Sequence, residues 1–377
     1  MIKKYRINII ILIIVLVLLV GAVLSINKND DYTGKKNYEL SEYVLELPYK
    51  KDFRILQLGD IHLGVKDDAD VHLDFLKLTI EDSNADLIVL NGDIFTYADK
   101  RVAKQLFSFI DSFNIPWTFT FGNHDEQCMF SVDWLSTYLT NYGSNCLFVD
   151  HPDDDVYGNA NFVINLMDGN KIHDQVIILD SNRYNFGEYI GYDYIKPSQI
   201  NWYENIVNYT TQINGGKVNS VMFFHITLPE FEDAFTAAGA DNAMNALMSN
   251  GGLRDENSKT GLDTTVDYLK YTDSFGKDGA ALEYGYNGEG FSCPEYNSGL
   301  FEKIEQLGST KAIMCSHDHV NNSRVLYKGV YFCYGVNSTN RIYRDENMMG
   351  GHVIILHDDH SLSFEHIYHT YEELDNE

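Results

Sequence analysis

The stretch Phe53-Arg54-Ile55-Leu56-Gln57-Leu58-Gly59-Asp60-Ile61-His62 decides the fold. It is an apolar run, short enough for a buried strand, that ends at a glycine and is followed at once by side chains able to bind a metal. Asn91-Gly92-Asp93 and Phe121-Gly122-Asn123-His124-Asp125 repeat the arrangement. Because parallel strands end at one edge of a sheet, the pattern predicts that these polar side chains converge there.

Helical periods separate these three strands. Residues 70–84 and 99–113 are predicted to be helices, the second with Val102, Leu106 and Ile110 on one face. Strand, helix and strand in this spacing predict a parallel βαβαβ unit and therefore an α/β fold. Further buried strands are expected at 176–179, 221–224 and 311–314, and antiparallel strands within 324–334 and 350–367.

The chain divides into three predicted regions. Residues 1–27 form an N-terminal segment, residues 28–51 a linker that includes a candidate edge strand at 43–47, and residues 52–377 the folded domain. Within the domain, residues 226–298 carry many glycines and no strand-like run, so they are expected to form an inserted cap or loop region.

The N-terminal segment has the pattern of a membrane anchor. Residues 7–26 are almost continuously apolar, which is about the ~20 residues that span a bilayer. Lys3, Lys4 and Arg6 precede the run, and the positive-inside rule then places the domain outside the cytoplasm. We expect a single-pass membrane protein, with a secreted protein released by signal cleavage as the alternative. Sequons at Asn208, Asn321 and Asn337 are weak support for a secretory route and a glycoprotein.

Charge and cysteine content exclude two classes of protein. The chain has 28 Lys and Arg against 55 Asp and Glu, a net charge of −27, which argues against nucleic acid as the ligand. The five cysteines show no C-x-x-C spacing, which excludes a zinc ribbon. A disulfide between Cys128 and Cys146 remains an option, and Cys315 and Cys333 are expected to be buried thiols.

Two later motifs add histidines to the same predicted sheet edge. His225 follows the strand at 221–224, and His317-Asp318-His319 follows the strand at 311–314. Alternate residues of an extended chain point to one side, so Asp60 and His62 can hold one cation together. The resulting set of nitrogen and oxygen ligands suits Fe, Mn or Zn.

In chain order, the motifs GDIH, NGD, GNHD, FHITLPE and SHDHVN resemble those of the calcineurin-like metallophosphoesterase family, and within it the purple-acid-phosphatase-like branch. The resemblance extends over residues 53–365. It implies a four-layer αββα sandwich, two divalent or trivalent metal ions, and hydrolysis of phosphate monoesters of proteins or small molecules by a hydroxide that bridges the metals. A phosphodiesterase acting on cyclic nucleotides or lipid head groups is the alternative, and a non-catalytic membrane-tethered binding module is a third reading.

The resemblance also implies a role for each motif residue. His124 would be catalytic without binding metal, and Asp93 would bridge the two ions. The other implied ligands are Asp60, His62 and His319 for one ion and Asn123, His225 and His317 for the other. The chain departs from purple acid phosphatases at Thr96, where they have a ligand tyrosine, so a tyrosinate–iron centre is not expected. Ser316 replaces a glycine that is common in the family.

No role is predicted for the remaining histidines, which are His72, His151, His173, His352, His357, His360, His366 and His369. Asp125 and Asp318 are either partners that orient imidazoles or solvated loop acids. Arg183 and Arg341 either hold phosphate or form surface ion pairs. The sequence does not identify an oligomeric state.

Overall fold

The computed structural model describes residues 36–67, 69–187, 189–240 and 279–374. Two sheets dominate these ranges. The five-stranded sheet has the order β15-β14-β2-β3-β4. Its strands are β2 (Phe53–Leu58), β3 (Leu87–Asn91), β4 (Trp117–Thr120), β14 (Gly350–Leu356) and β15 (Leu362–Tyr368). Strands β2, β3 and β4 are parallel, and β14 and β15 are antiparallel to their neighbours.

Helices connect the three parallel strands as predicted. They are α1 (Ala69–Ser83) and α2 (Lys100–Asp111), and α3 (Val132–Thr140) follows β4. Helix α2 begins where the Asp99 carboxylate accepts hydrogen bonds from the amides of Arg101 and Val102, both at 2.9 Å, which is ordinary N-terminal capping. The βαβαβ unit expected from the sequence is therefore present.

The eight-stranded sheet has the order β1-β5-β6-β9-β11-β13-β12-β10. Its strands are β1 (Val44–Pro48), β5 (Phe162–Asp168), β6 (Lys171–Ile178), β9 (Asn219–Phe223), β10 (Ala281–Tyr284), β11 (Thr310–Cys315), β12 (Arg324–Tyr327) and β13 (Val330–Tyr334). The helices beside it are α4 (Pro197–Asn214), α5 (Glu230–Ala237) and α6 (Leu300–Leu307). A short hairpin, β7 (Tyr184–Asn185) and β8 (Gly191–Tyr192), and helix α7 (Tyr371–Leu374) complete the described strands and α-helices. Two 3₁₀ helices lie at Leu40–Tyr43 and Asp125–Gln127.

Two apolar cores show how the layers stack. Along β5, Phe162 and Ile164 belong to the core that also contains the five-stranded sheet and helices α1 to α3. Val163, between them, belongs to the second core with α4, α5 and α6. Because successive strand residues face opposite sides, the eight-stranded sheet lies between the five-stranded sheet and the second group of helices. The order helix, sheet, sheet, helix confirms the predicted αββα sandwich.

Two segments differ from the expected organisation. Strand β1 confirms the edge strand expected at 43–47, but its parallel pairing with β5 makes it part of the folded domain, which therefore begins before residue 52. Strand β10 pairs with β12, although residues 226–298 were expected to lack strands. Only Leu282 of β10 is buried, and this explains why no apolar run is visible there. Helix α5 (Glu230–Ala237) also lies in the predicted insertion, and residues 241–278 lie outside the described residues.

Three expectations about the secretory route gain no support. Within the described part of the chain, no helix combines the length and apolar character needed to cross a bilayer, and the run at 7–26 lies outside it. Cys128 and Cys146 are free thiols, so the possible disulfide is not formed. Asn321 and Asn337 are each only 1% exposed, which makes both poor acceptors for a glycan.

Candidate metal centre

The loops that follow β2 and β3 place the first predicted ligands side by side. Beyond the strands, the amide of Asp60 donates to the carbonyl of Gly92 at 3.1 Å, and the amide of His62 donates to that of Asp93 at 3.0 Å. Gly92 has φ +80°, and a Cβ there would lie 2.6 Å from the ring of His225. A glycine is therefore required for the close approach of this loop to the histidine.

Four of the predicted ligands have left-handed backbone conformations. The φ angles are 51° for Asp60, His62 and Asp93 and 80° for His317. Non-glycine residues adopt such angles rarely, at a cost on the order of 1–3 kcal/mol each, and they cluster at functional sites. The fold therefore holds these four side chains in place against a local preference of the backbone.

Asp60, His62 and His319 form the first group of potential ligands. Their ligand atoms all lie within 4.8 Å of one another. The Nε2 atoms of His319 and His62 are 3.5 Å and 3.9 Å from the Asp60 Oδ1 atom. The structure thus brings together the three side chains that the resemblance assigned to one ion.

Asp93, His225 and His317 form the second group, with the same 4.8 Å limit between their ligand atoms. The Nε2 atom of His225 is 3.1 Å from the Asp93 Oδ2 atom. Asn123 is held nearby, because its Nδ2 atom donates a hydrogen bond of 2.8 Å to the Tyr184 hydroxyl. That bond directs the other amide atom, Oδ1, away from Tyr184 and leaves it available.

Asp93 joins the two groups. Its Oδ2 atom is 3.1 Å from His225 Nε2 in the second group and 3.8 Å from His62 Nε2 in the first. Its Oδ1 atom accepts a hydrogen bond of 2.7 Å from the amide of His124. Asp93 is therefore the carboxylate that would serve both groups if each held an ion.

Each of the seven predicted ligands has at least one buried polar atom that lacks a hydrogen-bond partner among the described residues. These atoms are Asp60 Oδ1, His62 Nε2, Asp93 Oδ2, Asn123 Oδ1, His225 Nε2, both ring nitrogens of His317, and His319 Nδ1. Buried polar atoms are almost always paired, so such a cluster needs a partner of another kind. Nitrogen and oxygen donors of these types fit Fe, Mn or Zn ions.

Two imidazoles are oriented by hydrogen bonds from their other nitrogen. His62 Nδ1 lies 2.8 Å from the hydroxyl oxygen of Thr96, and His225 Nδ1 lies 3.0 Å from the carbonyl oxygen of Asn91. A proton on Nδ1 leaves the Nε2 lone pair free to bind a metal. Thr96 occupies the position of the ligand tyrosine of purple acid phosphatases. In this chain its hydroxyl group is hydrogen-bonded to a predicted ligand, His62.

Burial and the two carboxylates act in opposite directions on the imidazoles of the centre. The carboxylates raise the pKa of His225 to about 9 and also raise that of His319, so these two rings would release a proton when an ion binds. Burial lowers the pKa of His317 to about 3 and that of His62 to about 4, so both are neutral near pH 7. Burial alone would raise the pKa of Asp93, but the neighbouring imidazoles, His225 first, lower it below its usual range. Neutral imidazoles and ionised carboxylates are the forms that bind metals.

His124 lies beside the two groups without belonging to either. It is half-buried, its ring centroid is 4.9 Å from that of His62, and its Nδ1 atom is 3.0 Å from Gln127 Oε1. An amide oxygen can only accept, so Nδ1 carries the proton and Nε2 remains available. The position agrees with a role in proton transfer, which stays a prediction.

Asp125 and Asp318 are neither solvated nor bonded to imidazoles, so both sequence-based alternatives for them are replaced. Asp125 accepts hydrogen bonds from the amides of Asp93, Phe95 and Gly122, at 3.1, 2.9 and 2.8 Å. It therefore ties the loop after β3 to the loop after β4. Asp318 accepts from the Tyr334 hydroxyl at 2.7 Å and from the amide of Ser292.

The two arginines form ion pairs with carboxylates. Arg341 Nη2 lies 2.6 Å from Asp67 Oδ1, and Arg183 Nη2 lies 3.8 Å from Asp180 Oδ2. These contacts favour the reading as ion pairs over phosphate binding.

Three tyrosines near the centre were not found by sequence reasoning. Besides Tyr184, the ring of Tyr192 meets the ring of His317 edge-on at 4.5 Å, and the ring of Tyr343 lies 4.4 Å from that of His319. They belong to a two-residue strand pair and to a loop, where no periodic signal exists. Gln127 was also missed, although its position three residues after His124 is a local signal.

The chain is similar to several known proteins. The family model for calcineurin-like phosphoesterases matches residues 53–321. A protein of Arabidopsis thaliana named probable inactive purple acid phosphatase 29 is 27% identical over 319 residues, 75% of this chain and 71% of that protein. The Saccharomyces cerevisiae phosphatase DCR2 is 24% identical over 337 residues, 81% of this chain and 51% of that protein.

Two solved phosphatase structures are also similar. A dimetal phosphatase from Danio rerio has a TM-score of 0.49 at 12% identity and covers 85% of this chain and 100% of its own. A purple acid phosphatase from yellow lupin seeds has a TM-score of 0.41 at 11% identity and covers 87% of this chain and 53% of its own. Because the family model spans most of the chain and its range contains all five motifs, the protein belongs to the calcineurin-like phosphoesterase family.

Proposed function

We propose that this protein is a metal-dependent phosphoesterase that hydrolyses phosphate monoesters of proteins or small molecules. One observation carries the proposal. Unpartnered, buried ligand atoms of seven side chains converge beside a histidine that has a free ring nitrogen. A protein that had lost its activity would have no need to keep all seven, because each unpaired buried polar atom costs about 1–3 kcal/mol.

The two groups described above would hold the metals. Asp60, His62 and His319 would bind one ion and Asn123, His225 and His317 the other, with Asp93 shared between them. When bound, two such ions, Fe, Mn or Zn, polarise a phosphoryl oxygen and make a water molecule nucleophilic near neutral pH.

The chain's own residues prepare the site for a phosphate ester. Tyr184 orients the Asn123 amide, and Gln127 fixes the proton of His124 on Nδ1. A second proton, on Nε2 of His124, can then pass to the oxygen of the leaving alcohol. The rings of Tyr192 and Tyr343 contact those of His317 and His319.

Hydrolysis of model esters tests the proposal. The full chain, loaded separately with Fe, Mn or Zn, is assayed with nitrophenyl phosphate and with bis-nitrophenyl phosphate. Faster release from the monoester, lost in the Asp93→Asn variant, is the expected result. Faster release from the diester would instead establish the phosphodiesterase alternative.

A second candidate is a non-catalytic binding module. It is favoured by the names of the Arabidopsis relatives, three of which are called probable inactive purple acid phosphatases. Full metal occupancy without hydrolysis of either ester would support this candidate over the enzyme.

We also propose that the protein is anchored in a membrane with its domain on the extracytoplasmic side. The apolar run at 7–26 and the three basic residues before it support this location. Membrane fractions washed with alkaline carbonate should retain the full chain. A chain shortened to begin at residue 28 should be released.

A further inference from the structure

A third group of potential metal ligands lies outside the candidate metal centre. His173, Asp174 and His360 have ligand atoms within 4.8 Å of one another. His173 and Asp174 lie near the start of β6, and His360 lies in the turn between β14 and β15. Sequence reasoning gave neither histidine a role.

Strand pairing places this group at the end of the sandwich opposite the candidate metal centre. Asp174 pairs with Asn219, the first residue of β9, and β14 ends at Leu356, opposite Phe53, the first residue of β2. The centre lies instead where β2, β3, β9 and β11 end. The group therefore joins the eight-stranded sheet to the five-stranded sheet, far from the proposed chemistry.

Both imidazoles converge on one carboxylate oxygen. His173 Nδ1 is 2.6 Å and His360 Nδ1 is 3.4 Å from Asp174 Oδ2. Tetrahedral zinc with ligands at about 2.0–2.1 Å keeps neighbouring ligand atoms roughly 3.3 Å apart. His360 already satisfies this spacing, and His173 would have to move by less than about 1 Å.

The two rings are held in place by their surroundings. The ring of His173 is stacked on that of Tyr49, with centroids 3.7 Å apart. The centroid of the His360 ring lies 4.3 Å from that of the His173 ring. The Tyr49 hydroxyl donates to Asp358 Oδ1 at 3.1 Å, and the amide of His360 donates to the carbonyl of His357 at 2.9 Å. The three potential ligand atoms are therefore held in place before any ion binds.

The group opens into a pocket of about 390 Å³. The pocket is lined by Tyr49, Lys50, Lys51, Asp168, His173, Asp358 and His360. Asp174 is only 3% exposed, whereas 47% of the His360 side chain is accessible. A cation can reach the group from the pocket and would neutralise this carboxylate.

We propose that His173, Asp174 and His360 bind one zinc ion, with the fourth position open to the pocket. Two imidazoles and one carboxylate, without thiolate, form a ligand set that suits zinc and is unusual for magnesium or calcium. The ion links the turn between β14 and β15 to β6. It thereby stabilises the contact between the two sheets, since a ligand that binds only the folded state favours that state.

Zinc stoichiometry tests the proposal. The full chain is stripped with a chelator, reloaded with zinc, freed of excess, and analysed by mass spectrometry for metal per chain. His360→Asn removes one ligand and keeps a residue that tolerates the left-handed backbone, φ 63°, at this turn. The matched control is His357→Asn in the same turn, because His357 contacts Asp52 and Ser363 instead of the group.

We expect His360→Asn to bind one zinc equivalent fewer than the wild type and His357→Asn to bind the same number. The wild-type melting temperature should rise more on addition of zinc than that of His360→Asn. Equal zinc content in the wild type and His360→Asn would overturn the proposal. A difference of one zinc equivalent between the wild type and His360→Asn supports the zinc site whether or not the candidate metal centre binds metal. The zinc site and the proposed phosphoesterase function can therefore fail independently. Asp174→Asn, which keeps the side-chain size, should repeat the loss.

Discussion

Replacement of Asp125 by asparagine should loosen the candidate metal centre without removing a ligand. Asp125 is fully buried, and its two oxygens accept three amide hydrogen bonds. Oδ2 accepts two of them, from Asp93 and Gly122, and Oδ1 accepts the third, from Phe95. An asparagine has one acceptor oxygen, so at best two bonds remain and one amide faces the NH₂ group.

The structure sets the size of this effect. An unsatisfied buried amide costs about 1–3 kcal/mol, and the two remaining bonds lose their charged acceptor. We expect the free energy of unfolding to fall by about 2–4 kcal/mol. Metal affinity should fall about 10–100-fold, the usual consequence of changing a residue that supports metal ligands.

Urea unfolding and metal titration measure both quantities. Burial raises the pKa of Asp125 to about 7, so the assay belongs at about pH 8, where the carboxylate is mostly ionised. Asp133→Asn, an exposed acid at the start of α3, serves as the control. Coincident unfolding curves and equal metal affinities for Asp125→Asn and the wild type would refute the argument that this carboxylate fixes the two loops.

Four further predictions concern single side chains. Asp93→Asn should abolish turnover and lower metal occupancy in both groups, because one carboxylate joins them; two full equivalents by elemental analysis would contradict this. His124→Ala should keep both metals and lower kcat by about 10²–10⁴-fold, less for nitrophenyl phosphate than for an alkyl phosphate. Equal losses on both esters would argue against proton donation. Thr96→Val should weaken metal binding about 10–100-fold, because His62 loses its Nδ1 partner, and an unchanged affinity would show that the ring is held by other contacts. Burial lowers the pKa of His352 to about 3, so below the ordinary pKa of about 6.5 the unfolded chain binds more protons than the folded one. The contribution of His352 to the free energy of unfolding is complete above pH 6.5 and should be smaller by about 2 kcal/mol at pH 5. The urea midpoint of His352→Phe should therefore fall less over this pH range than that of the wild type. An equal fall of the midpoint in both proteins would contradict the prediction.

The central strands and the ligand motifs were predictable because several independent signals agree in them. Strand β3 lies between two neighbours and is buried along its whole length, so residues 87–90 are a continuous apolar run. Strand β10, at the sheet edge, buries only Leu282 and shows no such run. The apolar run of a buried strand is visible in the sequence, so the ligand residue that follows it can be predicted. An edge strand has no such run.

Contacts between distant segments were not predictable. Asp125 was recognised as a candidate partner for imidazoles, but its true partners are backbone amides, which every residue except proline possesses. His173 and His360 are far apart in the chain, and each looks like an isolated histidine until the β14–β15 turn is placed beside β6. Motifs identify the residues that follow strands, and only the packed sheets show which loops meet.

The candidate metal centre is formed by residues from the beginning and the end of the domain sequence. The amide of His317 donates to Asp60 Oδ2 across 257 residues of sequence. During synthesis, Asp60, His62 and Asp93 leave the ribosome long before their partners exist, so the complete ligand set cannot select an ion on the nascent chain. If the two groups bind metal as proposed, the ions would therefore enter late, after the chain has folded. The ions available in the compartment where folding finishes, and not those around the ribosome, would then decide which metals fill the two groups.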